Sequence, residues 1–233
     1  MKRLNRNHLK YLAIAAMLVD HVAWAFVPTH SPLGQAMHLF GRLTGPLMAF
    51  FLAEGYVHTR NVKKYVLRMG VFALISVVPF CLFETGAPFS LRMGSFGVIY
   101  TLFLGLLAIW LCDKAKIPVW CKALAVAGLC VLSLWGDWPI FDVLWPLFFF
   151  LFRDSEKKKW TAFCLLALLA VKAAGNMSWW VMAGIYLVPP LVHFCYNGES
   201  GSKAPFHKWF FYVFYPTHLL ALYAIERLLV SRG

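Results

Sequence analysis

The sequence predicts an all-α membrane protein, a polytopic bundle of about nine transmembrane helices with its N-terminus in the cytoplasm and its C-terminus outside. Composition gives the class: 61% of the 233 residues are hydrophobic and only 14% are charged, whereas a typical soluble domain has about 25% charged residues. Apolar segments also follow one another from end to end. We therefore expect a single domain over residues 1–233.

Hydropathy divides the chain into segments that each approach the roughly 20 apolar residues needed to cross a bilayer. The predicted spans are 9–27, 36–58, 65–84, 96–113, 117–135, 139–153, 159–175, 178–196 and 208–229. The first span begins with basic residues, as a signal peptide does. Because Asp20 and His21 lie late in its apolar run, we expect it to be a retained helix instead. The span 139–153 is short and is expected to be tilted or re-entrant.

The basic residues test this helix count independently. With the N-terminus inside, 17 of the 22 Lys and Arg residues fall in the inner segments 1–10, 60–68, 114–122, 153–159 and 203–208. The others are Arg42, Arg92, Lys172, Arg227 and Arg232. This split follows the positive-inside rule and predicts an odd number of spans.

The net charge of +12 is therefore mainly a topology signal. The inner face can also bind anionic membrane lipids or a phosphate-bearing co-substrate. A nucleic-acid partner is not expected, because no soluble basic surface is available to present to it. The six cysteines are scattered singly and show no metal-ligand spacing, so neither a metal nor a disulfide framework is expected.

Adjacent ionisable residues interrupt the first apolar span, where such groups are costly and are usually kept for function. These are Asp20 and His21. Lys10 lies about three turns plus 20° before His21, so the two share one helix face about 16 Å apart. Neighbouring helix residues point about 100° apart, so Asp20 is not expected to orient His21. Its expected partner is Arg42, either as a structural ion pair or within a site.

Two other spans also carry polar groups. The second span has Arg42 near its outer end and Glu54 near its inner end, with Gly45-Pro46 expected to kink the helix between them. Running outward, the last span places His218 at nearly the depth of His21. We therefore expect the two imidazoles to share a cavity.

The loop after the second span is dense in basic residues. Arg60, Lys64 and Arg68 lie there, and Lys64 and Arg68 are neighbours on the start of the next helix because they are four residues apart. Guanidinium and ammonium groups bind phosphates through charge-assisted hydrogen bonds. Membrane topology alone also explains this charge.

Three segments resemble the TraX family: Leu12–His21, Gly41–Arg60 and Phe211–Leu219. The likeness covers nearly the whole chain, and the founding member of the family is associated with N-terminal acetylation of conjugative pilin. The Lys10-x10-His21 spacing is similar to the first-helix signature of type 3 membrane acyltransferases, which use cytoplasmic acyl-coenzyme A. One departure is that the family commonly has an asparagine before Tyr100, which is absent here. The resemblance does not imply a pilin acceptor.

The resemblance implies a transmembrane acyltransferase in the bacterial cytoplasmic membrane. It would transfer acetyl from acetyl-coenzyme A, without a metal, to an amine or hydroxyl of a small molecule, peptide or protein. Lys10, Arg60, Lys64 and Arg68 would bind the nucleotide end of the donor. His21 would act as general base or carry the acetyl group itself.

The other expected catalytic residues have less specific roles. Arg42, His218 or Tyr215 would stabilise the oxyanion or position the acceptor. Glu54 would be a second base or an anchor for a basic group, and Asp20 would pair with another helix.

Two other classes of function fit the polar residues. In a proton-coupled small-molecule transporter or exporter, Asp20, His21 and Glu54 would form a proton relay. No internal repeat relates the two halves of the chain, which disfavours this reading. In a non-catalytic assembly or scaffold protein, the buried polar residues would tolerate apolar replacements of matched volume.

Overall fold

A computed structural model describes residues 3–174 and 178–230 and contains no β-strand in these ranges, so the predicted all-α class is confirmed. Lys2 and Arg232, which entered the charge distribution, lie outside the described residues. The α-helices of the described chain are α1 (Arg6–Phe26), α2 (Pro32–Gly41), α3 (Thr44–His58), α4 (Val62–Thr85), α5 (Val98–Lys114), α6 (Val119–Leu132), α7 (Phe141–Leu151), α8 (Glu156–Lys172), α9 (Trp179–Met182), α10 (Val188–Cys195) and α11 (Pro205–Val230). Short 3₁₀ segments cover Ser133–Trp135 and Ala183–Leu187.

The lengths and compositions of the helices indicate a membrane protein. Within the described residues, three stretches are long and apolar enough to cross a bilayer: Arg6–Phe26, Pro32–His58 and Val62–Thr85. Large apolar side chains also point outward, such as Leu74 on α4 and Leu124 on α6, as expected where a helix faces lipid. The number of crossings and their orientation stay predictions.

The second predicted span, 36–58, lies within the apolar stretch Pro32–His58, and the distortion expected near Gly45-Pro46 takes the form of a two-residue break in the helix. α2 ends at Gly41 and α3 begins at Thr44. Pro46 has no N–H to donate to the carbonyl four residues earlier, which is that of Arg42, and its ring crowds that carbonyl. The helix therefore breaks at 42–43, ahead of the proline. Arg42 caps α2 instead of lying inside a helix.

The predicted span 178–196 is also divided. α9 is a single turn, the 3₁₀ segment Ala183–Leu187 follows it, and α10 begins at Val188. Prolines at 189 and 190 occupy the first turn of α10, where the missing N–H groups have no intrahelical partners. An uninterrupted helix through this region is thereby prevented.

The described residues group into two compact units. Unit one comprises the chain up to Met48 together with the part from Cys164 onward, and unit two spans Ala49–Phe163. This grouping does not test the prediction of one domain over 1–233.

In unit one, α1 packs against both α2 and α11. Tyr11 contacts His207 and His21 contacts His218, so α1 and α11 run parallel. Asn5 caps α1 by accepting from the N–H of His8. This arrangement places the polar residues of α1 between two partner helices.

In unit two, α5 is central and packs against α4, α6 and α7. Gly105 on α5 allows close approach of α7, because a side chain there would meet the backbone carbonyl of Asp142. Aromatic side chains also contribute to the core, with Trp145 and Phe149 each packed against Phe163.

Candidate active site

Asp20 and His21 point to different neighbours, as their angular separation on α1 predicts. Oδ2 of Asp20 accepts from Nη2 of Arg42 at 2.6 Å, which confirms the predicted pairing. Oδ1 accepts from Nδ1 of His38 at 2.7 Å. Arg42 also donates from Nε to the backbone carbonyl of His38, at 3.2 Å. Both oxygens of the carboxylate are thus held by α2 and the residue that caps it.

Gly41 makes this arrangement possible because α1 and α2 approach closely at that point. A Cβ added to Gly41 would lie 2.5 Å from Cβ and from Oδ1 of Asp20. The backbone fixes the position of a Cβ, so an alanine could not avoid this contact without a shift of α1 or α2. The glycine of the sequence motif therefore has a steric role beside the buried carboxylate.

We expect Gly41→Ala to destabilise the protein by about 1–3 kcal/mol, the usual cost of overpacking, despite the gain in helix propensity. The matched control is Gly128→Ala on α6, where an added Cβ meets nothing within 4 Å. That control should keep or slightly raise the thermal midpoint in detergent. Equal thermal midpoints for the two variants would show that the close approach at Gly41 does not affect stability.

His38 was missed in the sequence analysis, yet it is fully buried at the centre of this network. The available signal was its spacing, since residues four apart lie on one helix face and His38 precedes Arg42 by four. The predicted second span began at residue 36, which put His38 at its margin. The ring of Trp24 lies against its imidazole, with centroids 4.5 Å apart.

His21 faces α11, where it meets the second predicted imidazole. Nδ1 of His21 and Nε2 of His218 are 2.8 Å apart, and both side chains are buried. The two imidazoles, predicted to lie at one depth, are therefore in direct contact, and the shared cavity stays a prediction. The ring of Phe214, one turn before His218 on α11, stacks on the His218 ring at 4.8 Å between centroids.

The partners of His218 fix the tautomers of both neutral rings. Nδ1 of His218 is 2.9 Å from the carbonyl oxygen of Phe214, which can only accept, so this nitrogen carries the proton. Nε2 of His218 then accepts, and Nδ1 of His21 donates to it. Nε2 of His21 is consequently the nitrogen with the basic lone pair.

Tyr215 completes the surroundings of the imidazole pair. Its ring is buried and lies edge-on to both imidazoles, 6.4 Å from His21 and 5.7 Å from His218 between centroids. The structure therefore gathers three predicted site residues around one point between α1 and α11.

The other end of the same helix pair is polar. The Tyr11 hydroxyl lies 2.8 Å from Nδ1 of His207, and the Lys10 ammonium lies over the Phe211 ring at 5.1 Å. Eleven residues of helix separate Lys10 from His21, which corresponds to about 16 Å. The seam between α1 and α11 thus joins a cationic end to a buried imidazole.

The remaining predicted residues belong to unit two. Arg60 and Lys64 are exposed, and Asn61 caps α4 by accepting from the backbone N–H of Lys64 at 2.9 Å. The Arg68 guanidinium lies over the Tyr65 ring at 5.4 Å. Glu54 lies on α3, partly buried. The roles proposed for Glu54, Arg60, Lys64 and Arg68 stay predictions.

Comparison with known proteins gives two matches. The family described as "TraX protein" matches residues 5–226. The "Probable fimbrial assembly protein FimC, serogroup H1" of Dichelobacter nodosus is 32% identical over 231 residues, covering 92% of each chain. No solved structure matches the chain.

Proposed function

The chain belongs to the TraX family, and on that premise we propose that it is an integral-membrane acyltransferase of the cytoplasmic membrane. The reaction moves an acetyl group from acetyl-coenzyme A to an amine or hydroxyl acceptor. The observation that carries the proposal is the buried pair of His21 and His218, whose hydrogen bonds put the proton of His21 on Nδ1 and its lone pair on Nε2. We assign no step of this reaction to a metal ion.

In the general-base route, Nε2 of His21 removes a proton from the acceptor as its nitrogen or oxygen attacks the thioester carbonyl. The carbon–sulfur bond then breaks, and the same proton passes from His21 to the leaving thiolate. His218 keeps His21 in the reactive tautomer by accepting from Nδ1. The pair is neutral before and after each turnover.

In the acyl-carrier route, Nε2 of His21 attacks the thioester carbonyl and coenzyme A leaves as its thiolate. The released thiolate takes a proton from solvent. The acceptor then attacks the acetyl carbon, the bond from that carbon to Nε2 breaks, the acceptor loses its proton to solvent, and the neutral imidazole is regenerated. Ping-pong kinetics distinguish this route from direct transfer. Both routes use the same nitrogen, because Nδ1 is occupied by His218.

The oxyanion formed in either route needs a hydrogen-bond donor close to the thioester carbonyl. We assign this role to Tyr215, because its buried ring lies beside both imidazoles. The sequence analysis left three candidates for this donor, Arg42, His218 and Tyr215, and the proposal selects Tyr215.

The donor's nucleotide end is assigned to the Lys10 end of the α1–α11 seam. Its pantetheine arm would then follow the seam toward His21, over the roughly 16 Å that separate the two residues. Arg60, Lys64 and Arg68 are proposed as further phosphate ligands. The relative's name refers to fimbrial assembly, so a protein subunit is one acceptor to test.

The test is acetyl transfer by purified wild-type protein in detergent. Thiol release from acetyl-coenzyme A should depend on an added acceptor, and mass spectrometry should find the acetyl group on that acceptor. A panel of peptides, amines and alcohols defines the acceptor class. Solute flux in vesicles lacking acetyl-coenzyme A, with no thiol release in its presence, would instead support the transporter hypothesis.

We expect Arg60→Ala and Arg68→Ala to raise the KM for acetyl-coenzyme A about tenfold each, because each removes a charge-assisted phosphate contact. The KM for the acceptor should not change. Lys172→Ala, which removes a charge from the predicted outer side, is the matched control. Wild-type donor KM values in both arginine variants would remove these residues from the donor site.

A further inference from the structure

His38 is a buried imidazole that the proposed reaction does not use. Its side chain is fully buried, and Nδ1 donates to Oδ1 of Asp20 at 2.7 Å. In the neutral ring, the lone pair is then on Nε2. Among the described residues Nε2 has no protein hydrogen-bond partner. A buried acceptor left in this state is costly and calls for a physical explanation.

Asp20 and Arg42 already form a buried ion pair, so the carboxylate has its counter-charge without His38. The neutral imidazole of His38 donates from Nδ1 to Asp20 and can accept a second hydrogen bond on Nε2. The proton-transfer role stays with His21.

His38 contacts a residue that lies one helical turn beyond His21 on α1. Trp24, whose ring lies against His38, follows His21 by three residues and Asp20 by four, so it lies about one turn further along α1. Lys10 is at the opposite end of the same helix. Trp24 is 48% exposed, whereas His38 is 0% exposed. The indole thus separates the imidazole from the surface of unit one.

We propose that Nε2 of His38 accepts a hydrogen bond from the N–H or O–H of the acyl acceptor, which enters from the Trp24 side of α1. The donor then approaches from the Lys10 end, so that the two substrates reach His21 from opposite directions. This inference rests on the proposed acyl transfer, and it adds an acceptor-binding residue and an entry side.

The test uses His38→Asn in the full-length protein. An asparagine amide nitrogen occupies nearly the place of Nδ1 and keeps the donor to Asp20, but nothing replaces Nε2. The probe is a short peptide with a free N-terminus, and its binding is measured without acetyl-coenzyme A. We expect the peptide Kd to rise about tenfold, while the Kd for acetyl-coenzyme A and the thermal midpoint stay near wild type.

His30→Ala, an exposed histidine in the turn after α1, is the matched control and should bind the peptide as wild type does. Unchanged peptide binding by His38→Asn, or no peptide binding by the wild-type protein, would overturn the inference. Acetyl transfer by the wild-type protein is measured separately. Failure of the proposed function is therefore distinguishable from failure of the His38 assignment.

Trp24→Ala provides a second test that keeps all the side chains of the Asp20–His38–Arg42 hydrogen-bond network. Removing the half-exposed indole should speed peptide association by about threefold or more, because the imidazole is no longer covered. The association rate of acetyl-coenzyme A should not change. A wild-type peptide association rate in this variant would contradict entry from the Trp24 side.

Discussion

Replacing His21 with alanine is expected to lower the rate of acetyl transfer at least about a hundredfold, since a positioned general base contributes roughly 10²–10⁴-fold. A nucleophilic role would give a loss at least as large. Nε2 of His21 is the basic nitrogen of the imidazole pair, because Nδ1 donates to His218. The measurement is kcat for thiol release from acetyl-coenzyme A with a competent acceptor.

Two further variants test whether the loss of activity is specific to His21. His30→Ala removes an exposed imidazole and should keep the wild-type rate. His218→Ala removes only the group that fixes the tautomer, so about a tenfold loss is expected, smaller than for His21→Ala. Wild-type turnover in His21→Ala would eliminate this residue as base and as acyl carrier.

Replacing Arg42 with methionine is expected to lower the free energy of unfolding by about 3–5 kcal/mol, because it leaves the buried Asp20 carboxylate without its cationic partner. The two side chains are 9% and 14% exposed, so solvent screens the lost charge little. Methionine keeps much of the buried volume of the arginine stem. The measurement is the thermal midpoint in detergent, with denaturant unfolding where it is reversible.

A double variant separates charge from packing. Asp20→Asn combined with Arg42→Met removes both charges and should recover part of the stability lost in Arg42→Met, since neutral replacements of buried pairs are often tolerated. Lys172→Met removes an exposed charge and is the control. If Arg42→Met is as stable as Lys172→Met, the ion pair contributes nothing measurable.

The pairings within unit one are the part of the site that the sequence predicted best. Helical geometry alone separated Asp20 from His21, and the cost of a lone charge in an apolar helix required a partner such as Arg42. Parallel outward helices put His218 level with His21. These inferences depend only on fixed helical rise and rotation, which is why they can be made without coordinates.

The breaks in the helices were less predictable. Gly45-Pro46 signalled a distortion, but hydropathy averages over about 20 residues and cannot detect a two-residue interruption at 42–43. The same averaging joined α9, the 3₁₀ segment and α10 into one span. As a result, Arg42 was placed inside a helix, when it lies at the end of one.

The sequence by itself determined the all-helical membrane class, the family and the polar residues that an apolar environment makes expensive. Only the tertiary structure decided which nitrogen of His21 carries the lone pair, because a tautomer is set by the partner across the interface. Only it revealed His38 and the steric role of Gly41, since both depend on the closeness of α1 and α2. Periodicity gives the face of a helix on which a residue lies, whereas the atom that it meets depends on how two helices pack.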